Sequence, residues 1–458
     1  MFVAAAVFAA TRHAELTEAQ SWTAAVTALC AVWWLCESLP LSATALVPFA
    51  VFPLAGVLDE KQVATAYGHP LVLLFLGGFI LSRAVERSGA HRQLAFGILH
   101  AVGTTSGRRI VFGFMLATAL TSMWISNTAT TLMMLPVAIA VLEQDTSGRL
   151  GMPLMLGVAY AATIGGMATP IGSPPNGVCL AAYEAATGRQ ISFIQWMTVG
   201  VPVTALMFVP AWVVLTFRLA GSGRIQVPPN ARWSPAQRRT LAVFAFAAIG
   251  WVTRDVPAGG WSDLLGIESA GDSTVALLAA LSLFLIPNGE TPGGRLLDWE
   301  NAARIPWGIL LLFGGGIAIA MAFESSGLSG VVGAQLAGIH NWPPFWLILV
   351  IALSVTFFSE IGSNTAAASV MLPVLGAAAT TAGFDPALLM IPAGLAVSCG
   401  FMLPVATPPN AIAFGTGRIR MAQMARVGFA LNLIGSVAIT LVCWKLVPLV
   451  FEIGLTNR

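Results

Sequence analysis

The stretch "SNTATTLMMLP" spans Ser126–Pro136, and "SNTAAASVMLP" spans Ser363–Pro373, 237 positions later. Each stretch opens with three polar residues inside an otherwise apolar run. Ser, Asn and Thr favour helix N-termini, and the residues that follow them are compatible with a helix. Each stretch therefore predicts a helix that begins within an apolar region, and the near-identity of the two predicts a repeated structural unit.

The composition is that of a membrane protein. Apolar residues make up 57% of the 458 residues, charged residues only 9%, and the mean hydropathy is +0.82. Soluble domains carry about 25% charged residues, so this chain cannot cover a surface that faces water. Since no period-2 alternation suggests a β-barrel, the sequence predicts an all-α polytopic membrane protein. No basic run suggests a nucleic-acid partner, and the five cysteines lack metal-ligand spacing.

Three motif pairs recur in the same order along the chain, with offsets of 238, 237 and 234 residues. The pairs are Glu86–Gly89 with Glu324–Gly327, Ser122–Thr128 with Ser359–Thr365, and Ile171–Asn176 with Val405–Asn410. One short match among apolar residues is compatible with chance, but three in order indicate an internal repeat.

The repeat predicts two halves, residues 21–217 and 240–458, joined by a basic linker rich in Gly, Pro and Ser at 218–239. Each half is expected to contain five crossings and one re-entrant hairpin, around 110–142 and 345–378. Because five is odd, the second half enters the membrane from the opposite side. This inverted topology is typical of secondary transporters. Residues 1–20 are interpreted either as an incomplete first helix or as a helix that lies partly in the membrane.

The positive charges are distributed unevenly over the predicted loops. With the two hairpins entering and leaving on one side, sixteen of the 22 Lys and Arg residues fall on that side. The positive-inside rule places these loops and the linker in the cytoplasm and the C-terminus outside. The predicted location is the cell inner (plasma) membrane.

Ion and anion chemistry is expected where the two motif types meet. A helix that begins at membrane depth directs its free N–H groups and positive dipole end at an anion. The Pro-Pro pairs at 174–175 and 408–409 are expected to break a helix and free carbonyl oxygens that suit a sodium ion. No Lys or Arg lies in these motifs, so bound sodium would supply positive charge. Glu360, which has Met123 as its counterpart in the first half, is a candidate proton or ion site, but a supporting hydrogen-bond or hairpin-stabilising role is favoured for it.

The four motifs, in this order, resemble the divalent-anion/sodium symporter (DASS) family of INDY-type dicarboxylate transporters, over about residues 22–450. The resemblance implies a homodimer in which each protomer has a scaffold domain and a transport domain and works by an elevator movement. It implies two sodium sites, formed by Ser122, Ser126, Asn127 and Gly172, and by Ser359, Gly362, Asn364 and Ala406. It implies substrate contacts from Asn127, Thr128, Ser173, Asn364, Thr365, Thr407 and Pro408.

The expected function is sodium-coupled import of C4-dicarboxylates such as succinate, malate or fumarate. Two alternatives remain open at this point: a sodium-independent dicarboxylate exchanger, and a citrate, sulfate or oxyanion transporter of the same fold. A channel is disfavoured by the hairpins and the inverted repeat. An enzyme is not expected, because no catalytic carboxylate pair, His–Cys pair or metal cluster is placed within the membrane.

Overall fold

A computed structural model describes residues 1–103, 105–145, 148–219, 232–255, 260–267, 269–335 and 342–453. The regular structure of these residues is helical, apart from one isolated bridge between Pro287 and Arg295. The helices of the first part are α1 Phe2–His13, α2 Glu18–Leu35, α3 Leu41–Thr44, α4 Val47–Leu54, α5 Glu60–Tyr67, α6 Pro70–Ser88, α7 Ala90–Val102, α8 Gly107–Ser122, α9 Asn127–Leu142, α10 Gly151–Gly166, α11 Pro174–Thr187 and α12 Phe193–Thr216.

The helices of the second part are α13 Pro235–Val252, α14 Gly260–Leu264, α15 Asp272–Leu285, α16 Trp299–Ala302, α17 Trp307–Ser326, α18 Leu328–Gln335, α19 Pro344–Ser359, α20 Asn364–Thr381, α21 Ala387–Ala396, α22 Pro408–Gly415 and α23 Met421–Val450. Among the described residues, four stretches are long and apolar enough to cross a membrane: 60–88, α12, α17 and α23. Several shorter apolar helices lie between them.

The two SNT motifs lie at the turns between consecutive helices. In the first, α8 ends at Ser122 and α9 begins at Asn127. In the second, α19 ends at Ser359 and α20 begins at Asn364. Both helix starts confirm the sequence prediction. We call residues 122–127 the first tip and residues 359–364 the second tip.

The helix breaks predicted at the double prolines are present. Helix α10 ends at Gly166, a 3₁₀ turn spans Pro170–Gly172, and α11 begins at Pro174. Helix α21 ends at Ala396, and α22 begins at Pro408. Proline is tolerated in the first turn of a helix because the N–H it lacks has no partner inside the helix. We call residues 166–176 the first break and residues 400–410 the second break.

The tips and breaks pack across the two halves of the chain. Helix α11, which follows the first break, contacts α20, which follows the second tip. Helix α22, which follows the second break, contacts α9, which follows the first tip. All four motifs therefore belong to one packed region.

Glycines allow the long helices α6 and α17 to approach their neighbours closely. A Cβ on Gly77 of α6 would lie 2.6 Å from Ala276 Cβ of α15, and a Cβ on Gly315 of α17 would lie 2.7 Å from the Ala45 carbonyl oxygen. Small residues at helix contacts are the usual means of close packing in membranes. Both helices then end at left-handed glycines, Gly89 (φ 71°) and Gly327 (φ 73°).

Two helices begin before the predicted starts of the two halves, at residues 21 and 240. Helix α2 follows Thr17 and α13 follows Ser234, and each start is a capping box that uses Gln20 or Gln237. The similar stretches "TEAQ" (17–20) and "SPAQ" (234–237) are a local sequence signal of these two helix starts, and the predicted boundaries did not use it. Of the predicted linker 218–239, residues 220–231 lie outside the described residues, and residues 235–239 are already helical.

Candidate substrate and ion site

The first tip is tied to the first break by the side chain of Asn127. Its amide lies 2.7 Å from Ser122 Oγ, 3.0 Å from the Ala162 carbonyl oxygen and 3.1 Å from the Gly172 carbonyl oxygen. Because two of these three neighbours are carbonyl oxygens, which only accept hydrogen bonds, the nitrogen of the Asn127 amide points toward these three oxygens and acts as the donor. A Cβ on Gly166 would collide with this amide, so the position requires glycine.

A second asparagine holds the first break in shape. Asn176 Nδ2 donates to the carbonyl oxygens of Gly166, at 2.9 Å, and Thr169, at 2.7 Å. The Thr169 hydroxyl in turn donates to the Met123 carbonyl oxygen in the first tip. Carbonyls freed by the broken helix are thus partly satisfied within the protein, which sequence reasoning did not predict. The Oδ1 atom of Asn176 is buried and has no hydrogen-bond partner among the described residues.

The second break has the same arrangement 234 residues later. Asn410 Nδ2 donates to the carbonyl oxygens of Gly400, at 2.9 Å, and Leu403, at 3.0 Å, and Asn410 Oδ1 is buried without a partner among the described residues. Ser173 and Thr407, the residues before the two Pro-Pro pairs, share an extended backbone.

Three of the predicted residues meet around Gly400. A Cβ placed there would lie 2.9 Å from Ala406 Cβ, 3.4 Å from Asn364 Oδ1 and 3.6 Å from Thr407 Cγ2. Asn364 Oδ1 is itself buried and has no partner within the described structure. This orphaned oxygen is of the kind that a bound cation or a polar ligand satisfies.

Glu360 cross-links the second tip to the second break. Its carboxylate accepts the backbone N–H groups of Met402, at 2.8 Å, and Leu403, at 3.1 Å, and the amide of Asn432 on α23, at 2.7 Å. The prediction of a supporting hydrogen-bond role for Glu360 is confirmed. Its partners were not predicted, because they lie 42 to 72 residues away in the chain.

Comparison with known proteins gives this arrangement its context. The citrate transporter family model, CitMHS, matches residues 31–390. The sodium-dependent dicarboxylate transporter SdcS of Staphylococcus saprophyticus is 38% identical over 97% of this chain and 89% of its own length. SdcS of Staphylococcus aureus strain MRSA252 is 36% identical over 94% of this chain and 87% of its own length. The chain belongs to the CitMHS/DASS-type transporter family.

Two solved transporter structures share the fold of this chain. The YdaH transporter of Alcanivorax borkumensis superimposes with a TM-score of 0.58 at 17% identity, covering 93% of this chain and 99% of that one. MtrF of Neisseria gonorrhoeae superimposes with a TM-score of 0.56 at 12% identity, covering 86% and 83%. The chain is thus an all-helical, multi-pass membrane protein of a transporter family, and the prediction that it is not an enzyme is confirmed.

The other residues that the family resemblance implies are distributed as follows. Ser126 caps α9 by accepting the Ala129 N–H at 3.3 Å, whereas Ser363, its counterpart, makes no side-chain cap bond to α20. Ser359 Oγ donates to the Thr356 carbonyl oxygen at 2.8 Å. A Cβ on Gly362 would lie 3.6 Å from Leu35 of α2, so the second tip also touches that helix.

The residues predicted to contact the substrate differ in solvent exposure. Thr128 and Thr365 are half-buried at the starts of α9 and α20, Ser173 and Thr407 are buried, and Pro408 is exposed. The contacts described above bring together Ser122, Asn127 and Gly172 in one group, and Asn364, Ala406 and Thr407 in another.

Proposed function

We propose that this family member imports C4-dicarboxylates such as succinate, malate or fumarate together with sodium. The observation that carries the proposal is the matched pair of tips and breaks, each with amide and carbonyl groups and without a Lys or Arg in its motif. A dianion at such a site needs compensating charge, which helix ends supply only as about half a charge each. The names of the SdcS relatives are consistent with sodium as the co-transported cation.

The proposed substrate site lies between the starts of α9 and α20. The other two helices, α11 and α22, begin with Pro-Pro and so lack two N–H donors each. Because Ser363 leaves the first turn of α20 without a side-chain cap, those N–H groups remain for a carboxylate. Asn127, Thr128, Asn364, Thr365 and Thr407 complete the donors.

The proposed sodium sites flank this position. Ser122, Ser126, Asn127 and Gly172 would form the first site, and Ser359, Gly362, Asn364 and Ala406 the second. Ser122 Oγ and the Gly172 carbonyl oxygen, which the Asn127 amide nitrogen contacts at 2.7 and 3.1 Å, support the first group as oxygens gathered at one place. A bound ion would require the Asn127 amide to turn its oxygen toward it. The orphaned Oδ1 of Asn364 beside Ala406 supports the second, since oxygen ligands suit a hard cation.

We further propose an inverted repeat of residues 21–217 and 240–458 that moves by an elevator mechanism in a homodimer. The equal hydrogen-bond patterns of the two breaks support the repeat. The distribution of arginines supports a cell inner membrane location with the basic loops in the cytoplasm. Labelling of single cysteines introduced at Arg304 and Leu264 in intact cells would test that orientation, and only Leu264→Cys should react from outside.

The family model favours one second candidate. Because that model is described as a citrate transporter, a citrate carrier on the same fold is the main alternative substrate assignment. A sodium-independent dicarboxylate exchanger is the alternative coupling mode.

Uptake of labelled succinate into proteoliposomes tests the proposal and separates these alternatives. We expect accumulation when sodium is outside, and no accumulation when choline replaces it. Unlabelled malate and fumarate should compete, whereas citrate and sulfate should not. Uptake that requires succinate inside the vesicles but not sodium would identify an exchanger, and stronger competition by citrate would identify a citrate carrier.

A further inference from the structure

A cavity of about 220 Å³ lies beside the first tip, outside the site described above. It lies between the first tip, α7 and α13. Its apolar walls include Val85, Leu94, Ile98, Trp124, Leu241 and Phe244. The rings of Trp124 and Phe244 meet edge to face with centroids 5.1 Å apart, so one wall joins the tip to α13.

The lining does not suit a dicarboxylate. Of its polar side chains, Thr121 donates its hydroxyl to the Ala117 carbonyl oxygen at 2.8 Å, and His91 Nδ1 lies 2.9 Å from the Val85 carbonyl oxygen. Two of its hydrogen-bonding groups are therefore already engaged. An apolar cavity of this kind favours a hydrocarbon ligand.

The open side of the cavity faces outward. Leu94 is 41% exposed and Leu120 is 45% exposed at its edge. In a multi-pass membrane protein, an apolar opening of this kind suits lipid better than water. A segment of an acyl chain can therefore enter from the bilayer without crossing water.

A basic side chain on the same face of α13 as Leu241 favours an anionic headgroup. Arg238 lies three residues before Leu241 in α13, and positions three apart share a helix face. The adjacent Arg239 is engaged, since it donates to the Pro287 carbonyl oxygen at 2.6 Å. Arg238 is exposed and makes no ion pair within the described part of the chain.

We propose that this cavity is a site for an anionic phospholipid, with one acyl chain between Trp124 and Leu241 and the phosphate at Arg238. Since Trp124 belongs to the first tip and Leu241 to α13, the lipid contacts both elements at once. Bilayer composition would thereby act on the position of the first tip. The lipid site itself does not depend on the identity of the transported substrate.

Tryptophan quenching by brominated lipids tests the site on the full chain in nanodiscs. Phosphatidylglycerol brominated in mid-chain is titrated into phosphatidylcholine, and the contribution of Trp124 is the difference between wild type and Trp124→Phe. We expect this contribution to be quenched at a low mole fraction and to saturate. Brominated phosphatidylcholine should need a several-fold higher fraction.

Three further variants extend the test beyond Trp124→Phe. Arg238→Gln should remove the preference for phosphatidylglycerol, whereas Arg426→Gln, at an exposed arginine elsewhere, should retain it. Ile98→Phe combined with Leu241→Phe fills the cavity and should remove the saturating component. Equal quenching of wild type and Trp124→Phe, or equal quenching by the two lipids in wild type, would overturn the proposal.

Discussion

Asn176 and Asn410 make the same pair of hydrogen bonds 234 residues apart. Each side-chain amide donates to the carbonyl oxygens ten and seven residues before it, at 2.7 to 3.0 Å. Both side chains are fully buried. Each asparagine therefore holds one break in shape, next to the residues proposed to bind the ions and the substrate.

Asn176→Ala and Asn410→Ala should each lower thermal stability and transport together. Each change leaves two carbonyl oxygens without their donor, at a cost of about 1–3 kcal/mol for each buried group left unpaired. Thermal unfolding in detergent and succinate uptake are the measurements. Thr65→Ala, on an exposed helix face, is the control and should behave as wild type. An unchanged unfolding temperature in both asparagine variants would refute this role.

Gly166→Ala should abolish transport because its methyl group would displace the Asn127 amide. Gly151→Ala is the matched control in the same helix, since a Cβ at that position meets nothing within 4 Å. We expect less than a tenth of wild-type uptake for Gly166→Ala and near wild-type uptake for Gly151→Ala. Full activity of Gly166→Ala would show that the Asn127 geometry is not required.

Asn127→Ala and Asn364→Ala should both lose transport but differ in stability. Asn127 bridges the first tip to the first break through three short contacts, whereas Asn364 Oδ1 has no partner among the described residues. Only Asn127→Ala should therefore unfold at a lower temperature. Wild-type uptake by well-folded Asn364→Ala protein would contradict its assignment to the ion and substrate site.

Glu360→Gln should destabilise the second tip. A glutamine presents an NH₂ group to one of the donors that the carboxylate now accepts, so at least one buried N–H loses its acceptor. We expect an unfolding temperature several degrees below that of wild type, and a similar loss for the partner variant Asn432→Ala. If the two losses arise from one network, the double variant should lose less than their sum.

The sequence predicts the helix starts because their signals are local. Asn127 and Asn364 follow a serine at the start of an apolar helix, and the Pro-Pro pairs that begin at Pro174 and Pro408 are best tolerated in the first turn of a helix. The repeat offset also predicts that the tips and breaks correspond. The order of these motifs carries the resemblance to the family, and the family model and the relatives show the membership.

Long-range hydrogen bonds are what the sequence does not reveal. Asn176 and Asn410 belong to the repeated motifs, but nothing in the pattern indicates that their amides donate back to carbonyls of the preceding break. Tyr160 donates to the Phe401 carbonyl oxygen, 241 residues away, at 2.9 Å, and no periodicity marks that pair. Such contacts depend on how helices pack, and packing is set by the whole chain.

Isothermal titration of succinate in sodium and in choline buffer tests the central claim most directly. If sodium supplies the positive charge that the site lacks, succinate affinity should rise steeply with sodium concentration. By linkage, succinate should tighten sodium binding by the same factor. The account predicts at least a tenfold weaker succinate affinity in choline, a difference of about 1.4 kcal/mol. The same affinity in both buffers would contradict sodium coupling.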